Sequence, residues 1–174
     1  MHYNKIRKMD IANGPGIRVS IFMQGCTFKC KECFNPETHD FNGGKDFTDE
    51  VIENILNLAK EEHIMGLSIL GGEPLHPKNI DGTIKLAKVF KEKFPKKNIW
   101  IWTGFNYDDI CNKEILNYID VLIDGRYQDE LHDFRLKWRG SSNQRVIDVK
   151  KSLKNNKIIL YCDWGEIWKK EDLK

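Results

Sequence analysis

Strand-like and helix-like patterns alternate along most of this 174-residue chain, and that alternation restricts the fold more than any other feature. Ile17–Met23 alternates apolar and polar side chains and then turns wholly apolar, the mark of a strand with one face in a core. It runs straight into Gln24-Gly25 and a cysteine-rich loop. Thr48 predicts an N-cap, and Val51, Ile52, Ile55, Leu58 and Ala59 then recur at helical spacing. Residues 67–70 read as a short buried strand ending in Gly71-Gly72-Glu73-Pro74. Residues 84–94 predict a second helix, with Leu86, Ala87, Phe90 and Phe94 inward and Pro95 at its end. Residues 98–103 predict a third strand stopped by Gly104, residues 108–118 a third helix, and Val121–Asp124 a fourth strand stopped by Gly125. Strands that alternate with helices favour parallel pairing through helical crossovers. The expected fold is α/β: an open partial (β/α) barrel of mostly parallel strands. Sites in such folds gather at the carboxyl ends of strands. Here the cysteine loop, the Gly-Gly-Glu-Pro turn, Thr103-Gly104 and Asp124-Gly125 all follow strands, so four unusual loops point to one rim.

Past Arg126 the chain turns polar and loses periodicity. Further strands are expected at 145–149 and 157–161, with Lys150, Lys151 and Lys154 in a solvated loop between them. The tail from Trp164 reads either as docked through Trp164 and Trp168 or as partly disordered. Without a repeat or a linker, one domain over residues 1–174 is expected, its core within about 3–161. Twenty-eight Lys and Arg against 26 Asp and Glu leave a net charge of +2, which gives nucleic-acid binding little support. The sequence also lacks an apolar run of membrane-spanning length and an N-terminal signal stretch, so a cytoplasmic protein is expected.

Three of the five cysteines, Cys26, Cys30 and Cys33, crowd into eight residues. An odd count argues against a disulfide framework, and three thiolates on one short loop argue for a metal or cluster site. A cubane iron–sulfur cluster takes four ligands, so three would leave one iron open to a substrate. A closed zinc site with His39 as fourth ligand fits the same spacing, because soft thiolates suit both. Cys111 is expected in the core of the third helix, and Cys162 receives no role. Trp100 and Trp102 read as core packing and His63 as a cation closing the C-terminus of a helix.

Gly14-Pro15-Gly16-Ile17-Arg18, the run from Gly25 through Cys26, Cys30 and Cys33 to Asn35-Pro36, and Gly71-Gly72-Glu73-Pro74 together resemble the radical S-adenosylmethionine (SAM) family, in its glycyl-radical activating branch. Trp102-Thr103-Gly104-Phe105, the stretch Asp120 to Tyr127, and Arg-Gly-Ser-Ser-Asn-Gln-Arg at 139–145 narrow the resemblance to activators of anaerobic (class III) ribonucleotide reductases. It covers roughly residues 3–149. One departure is Glu32, where many radical SAM proteins carry an aromatic residue.

The resemblance implies a barrel of the radical SAM type and an oxidoreductase. Cys26, Cys30 and Cys33 would hold a [4Fe–4S] cluster whose open iron chelates SAM. One electron from a donor such as a flavodoxin would cleave SAM to a 5′-deoxyadenosyl radical, which takes a hydrogen from a glycine of the large reductase component. Asn35, Gly71, Gly72, Glu73 and Pro74 are the expected SAM contacts, with Arg126 a candidate for the SAM carboxylate and Asp124 its orienting partner. Residues 139–145 are expected to face SAM or the partner's glycine loop. A pyruvate formate-lyase activator is the near alternative, and a zinc-binding interaction domain the alternative of another class.

Overall fold

The computed structural model describes residues 1–161. Seven strands form one sheet: β1 (His2–Asp10), β2 (Ile17–Met23), β3 (Lys45–Asp46), β4 (Ile64–Gly71), β5 (Asn98–Trp102), β6 (Val121–Asp124) and β7 (Arg145–Asp148), in spatial order β3-β1-β2-β4-β5-β6-β7. The central strands β2, β4, β5 and β6 are parallel, while β1 and β7 flank them antiparallel. The sheet is open, with β3 and β7 at its two ends. The four central strands share one direction, as the alternating pattern predicts, and the cysteine loop, the Gly71-Gly72 turn and Thr103-Gly104 leave the same rim.

Register explains the core. Ile21, Ile69, Ile101, Leu122 and Ile147 are paired neighbours across five strands, and all five are buried. Helices α1 (Asp49–Ala59) and α2 (Ile80–Lys93) cover this face with Ile52, Ile55, Leu56 and Ala59, and with Ile84, Leu86, Ala87 and Phe90. The opposite face carries the residues between: Arg18, Ser20 and Phe22 on β2, Ser68 and Leu70 on β4, and Trp100 and Trp102 on β5. Trp100 and Trp102 pack there in a second cluster with Trp138, as expected of core tryptophans.

Arg18 explains the Gly-Pro-Gly segment. Its guanidinium is buried and donates to Ser68 Oγ (2.6 Å), Asn98 Oδ1 (2.6 Å) and the Leu67 carbonyl (2.8 Å). Burial lowers its pKa to about 10, so the charge stays. Ser68 Oγ donates in turn to the Asn13 carbonyl at 2.6 Å, which lays the β1–β2 connection across this face. Gly14 there has φ +110°, and a Cβ would stand 3.0 Å from the Arg18 side chain.

Five expectations are corrected. Residues 108–118 form no α-helix but two 3-10 turns, Tyr107–Asp109 and Lys113–Asn117; the buried positions Ile110 and Ile115 stand five residues apart, which breaks helical spacing, and the Asn112 side chain starts a new turn by accepting from Glu114 N. Cys111 is therefore exposed rather than a core thiol. Lys150, Lys151 and Lys154 lie on a short helix, α3 (Val149–Asn155), capped by Asp148 and ended by Asn156 at φ +52°. Residues 157–161 contribute a single bridge, Ile147 to Leu160, rather than a strand. His63 lies beyond the Lys60 cap of α1 and does not close that helix. Strand β1, half-exposed and largely polar, gave no periodic signal. The expectations for Cys162 and the tail lie outside the described residues. Among those residues no helix is long and apolar enough to cross a membrane.

Candidate functional site

Cys26, Cys30 and Cys33 line one cavity of about 390 Å³, together with Asn35, Gly71, Gly72 and Glu73. The loop that carries the cysteines is fixed at its base. Gly25 N donates to the Thr38 carbonyl (2.8 Å) and Cys26 N to the His39 carbonyl (3.1 Å). Gln24 Nε2 donates to the Glu37 and Asp40 carbonyls at 3.0 and 2.8 Å. Glu73 N reaches the Gly25 carbonyl (2.8 Å), and Asn79 Nδ2 the Gln24 carbonyl (2.9 Å), so the β4 turn and the cysteine loop are tied together. Lys29 and Glu32, which immediately precede Cys30 and Cys33, have φ of +45° and +50°. Side-chain-bearing residues enter this region at a cost, and such strain clusters at functional loops.

Burial raises the Cys26 and Cys33 thiols above their ordinary pKa. Backbone hydrogen bonds from Phe28 and Lys29 to Cys26, and from Asn35 to Cys33, work the other way and are suited to a thiolate. Among the described residues, no three His, Cys, Asp or Glu side chains are already gathered around a single-ion position. A cluster shares three thiolates among three irons and so needs them farther apart than one zinc ion does. His39, the expected fourth zinc ligand, lines the same cavity, and its Nε2 is buried with no hydrogen-bond partner.

Glycine is required opposite the cysteines. Gly71 has φ +107°, and a Cβ would meet Met23 N at 2.7 Å and the Phe22 Cα at 2.8 Å, both backbone. At Gly72 a Cβ would stand 2.7 Å from the Gly25 carbonyl oxygen. Gly71→Ala is expected to cost about 1–3 kcal/mol through left-handed strain and overpacking, read as a lower urea midpoint.

Glu73 lines the cavity as expected, and its carboxylate also serves the fold. Its carboxylate is buried and accepts from Leu75 N (2.9 Å), Thr103 Oγ1 (2.7 Å) and Gly104 N (2.7 Å). It thereby joins the turns after β4 and β5. Burial pushes its pKa up to about 7 against the pull of those three donors. Pro74 does not line the cavity; its carbonyl accepts from Thr83 Oγ1 at 2.9 Å.

Asp124 and Arg126 also stand outside the cavity lining. Asp124 is buried and takes a two-pronged pair from Arg145, through Nε at 2.9 Å and through Nη2, as well as Tyr107 N at 2.9 Å. Its partner is Arg145 rather than Arg126. Arg126 is exposed and donates to the Phe28 carbonyl at 2.7 Å, between the first two cysteines. Lys31 pairs with Asp129 (3.1 Å) and Glu130 (3.6 Å), and Phe34 packs on Tyr127 with ring centroids 5.0 Å apart. Residues 126–130 therefore brace the cysteine loop at three points.

From residues 139–145, Gln144 reaches the cavity; its Oε1 accepts from Gly140 N (2.9 Å) and its Nε2 donates to the Gly125 carbonyl (3.0 Å). Arg7, Asn13, Phe22, Phe28, Leu70 and Trp102 also line the cavity without having been singled out as site residues. Arg7 comes from the unrecognised strand; the signal for Asn13 was the Gly-Pro-Gly segment beside it.

A three-cysteine loop at the rim of an open α/β sheet defines a single-cluster iron–sulfur domain, and a family model described as a 4Fe-4S single cluster domain matches residues 12–147. The chain is 41% identical over 146 residues to the anaerobic ribonucleoside-triphosphate reductase-activating protein of Enterobacteria phage T4, covering 84% of this chain and 93% of that one. It is 39% identical to the same-named protein of Escherichia coli K12 and 40% identical to that of Haemophilus influenzae, each over 150 residues, 84% of this chain and 97% of the relative. The chain belongs to the family of anaerobic ribonucleoside-triphosphate reductase-activating proteins.

Proposed function

We propose that the protein is a radical SAM enzyme that installs a glycyl radical on an anaerobic ribonucleotide reductase. One observation carries the reading: three cysteines and the Gly71-Gly72 turn face a single cavity. Cys26, Cys30 and Cys33 fit a [4Fe–4S] cluster, because three thiols share one loop and one cavity, and amide donors that favour the thiolate back Cys26 and Cys33. When bound, the cluster supplies an electron that cleaves SAM, and the resulting 5′-deoxyadenosyl radical takes a hydrogen atom from the reductase glycine.

The chain's own residues bind, orient and exclude water. Gly71 and Gly72 let the turn after β4 pack directly on β2 and the base of the cysteine loop, and their carbonyls would accept from the ammonium group of a ligand in the cavity. Asn35 adds a polar side chain across the cavity. Glu73 acts by holding the two turns together. Asp124 acts through Arg145, and Arg126 through Phe28. The open sheet around the cavity is read as a partial barrel of the radical SAM type, formed by one domain. A one-electron donor such as a flavodoxin serves from outside, and a cytoplasmic setting suits such a thiolate site.

The test is electron paramagnetic resonance on the anaerobically reconstituted protein with reductant, SAM and the reductase from the same source. A glycyl doublet that requires SAM is expected. 5′-Deoxyadenosine without a doublet would move the partner to another glycyl-radical enzyme, and bound zinc with neither product would overturn the reading. Arg126→Ala is expected to release iron to a chelator several-fold faster while SAM affinity stays unchanged, as loss of an outer partner predicts. Weaker SAM binding at unchanged iron release would instead put Arg126 on the SAM carboxylate.

A further inference from the structure

The cavity mouth carries a ridge of exposed large apolar side chains. Phe34, next to Cys33, lines the cavity yet is 62% exposed. Its ring packs on His132 with centroids 5.9 Å apart, and His132 packs on Phe134 at 4.3 Å. Phe134 is 93% exposed and Leu131 40%. Phe34, His132 and Phe134 form one continuous strip from the cysteine loop outward, and exposed Leu131 adjoins His132 in the chain. Exposed apolar strips of this kind mark interaction sites, and aromatic anchors dominate binding energy where a partner covers them.

We propose that the Phe34–His132–Phe134 ridge with Leu131 is the docking surface for the glycine-bearing loop of the partner reductase. This rests on the function proposed above. Two features choose the occupant. The ridge is continuous with the cavity wall through Phe34, so whatever covers it also closes the mouth. A reaction that passes a hydrogen atom from a polypeptide glycine needs that polypeptide at this mouth, with water excluded. Glycine offers no side chain to recognise, so affinity has to come from contacts flanking it. Asp129 and Glu130 pair with Lys31, and Asp133 with Arg135, so the ridge is flanked by balanced charge and not by the basic field that an anionic lipid surface needs.

The test uses Phe134→Ala combined with Leu131→Ala in the cluster-loaded protein. Both side chains lie outside the cavity lining, and Phe134 is nearly fully exposed, so folding and cluster content are expected to hold. Partner-free SAM cleavage with dithionite, read as 5′-deoxyadenosine, is expected to match wild type. The reductase concentration that gives half-maximal glycyl radical is expected to rise about tenfold or more, the range for losing aromatic anchors. An unchanged half-maximal concentration would overturn the docking surface while leaving the proposed function intact. So would an unchanged concentration accompanied by loss of self-association in sedimentation, which would assign the ridge to a second copy of the chain. Failure of the wild type to cleave SAM at all would overturn the proposed function, and the docking surface with it.

Discussion

Cys26→Ala, Cys30→Ala and Cys33→Ala, each made alone, are expected to lower SAM cleavage by more than about a hundredfold, beyond the loss typical of an outer-shell partner. The physical reason is that, among the described residues, no spare thiol lines the cavity. Of the two other cysteines, Cys111 leans on the Leu75 carbonyl at 3.7 Å and does not line the cavity. Iron content and the visible spectrum provide the check that separates cluster loss from a poorly positioned substrate. Cys111→Ser is the matched control, and its iron content and turnover are expected to equal wild type. His39 sharpens the comparison, since it is the nearest alternative ligand the sequence offers. Zinc bound by the wild-type protein and lost in a His39→Ala variant would show a closed four-ligand site, and the three-cysteine cluster would be wrong. Full turnover in any one cysteine variant would remove that residue from the site.

Much of this was legible in the sequence because it rests on local rules. Residues 17–23 and 121–124 showed their strands through buried apolar runs, and Thr48 marked the start of α1. The four loops that follow strands pointed to one rim because parallel strands must place them there. What stayed hidden depends on tertiary pairing. Strand β1 is held by β2 and is mostly half-exposed, so it carries little apolar periodicity of its own. The segment 108–118 contains enough Ile and Leu to suggest a helix, but their burial follows two tight turns. Asp124 looked like a partner for Arg126, two residues away. The antiparallel pairing of β6 with β7 instead sets Asp124 opposite Arg145, a contact that spacing does not reveal. Arg126 is left to reach across to Phe28, in a loop 98 residues earlier.

Glu73 shows the same lesson at the site itself, and its replacement carries the second large expected effect. A carboxylate in a Gly-Gly-Glu-Pro turn reads as a ligand for an ammonium group. In the fold it is spent on Leu75 N, Thr103 Oγ1 and Gly104 N. Glu73→Leu leaves those donors without an acceptor, at about 1–3 kcal/mol for each one buried. A loss of about 3–5 kcal/mol is expected, which lowers the melting temperature by about 10 °C for a chain of this length. Glu73→Gln keeps the shape and one acceptor oxygen but turns an amide group toward Gly104 N–H, so a smaller loss of about 1–3 kcal/mol is expected. The carboxyl also gives the cluster-free protein a distinct pH response. Burial holds its pKa near 7, against an ordinary value of 4.5. Between those limits the folded state keeps a proton that the unfolded chain has released, so its contribution to stability falls as pH rises from about 4.5 to about 7. The Gln variant cannot titrate there, and its stability profile is expected to be flatter over that interval. Parallel profiles for the two proteins in chemical denaturation would mean that Glu73 is already ionised below pH 5. The three donors would then outweigh burial, and the turns after β4 and β5 would be joined by a charge throughout.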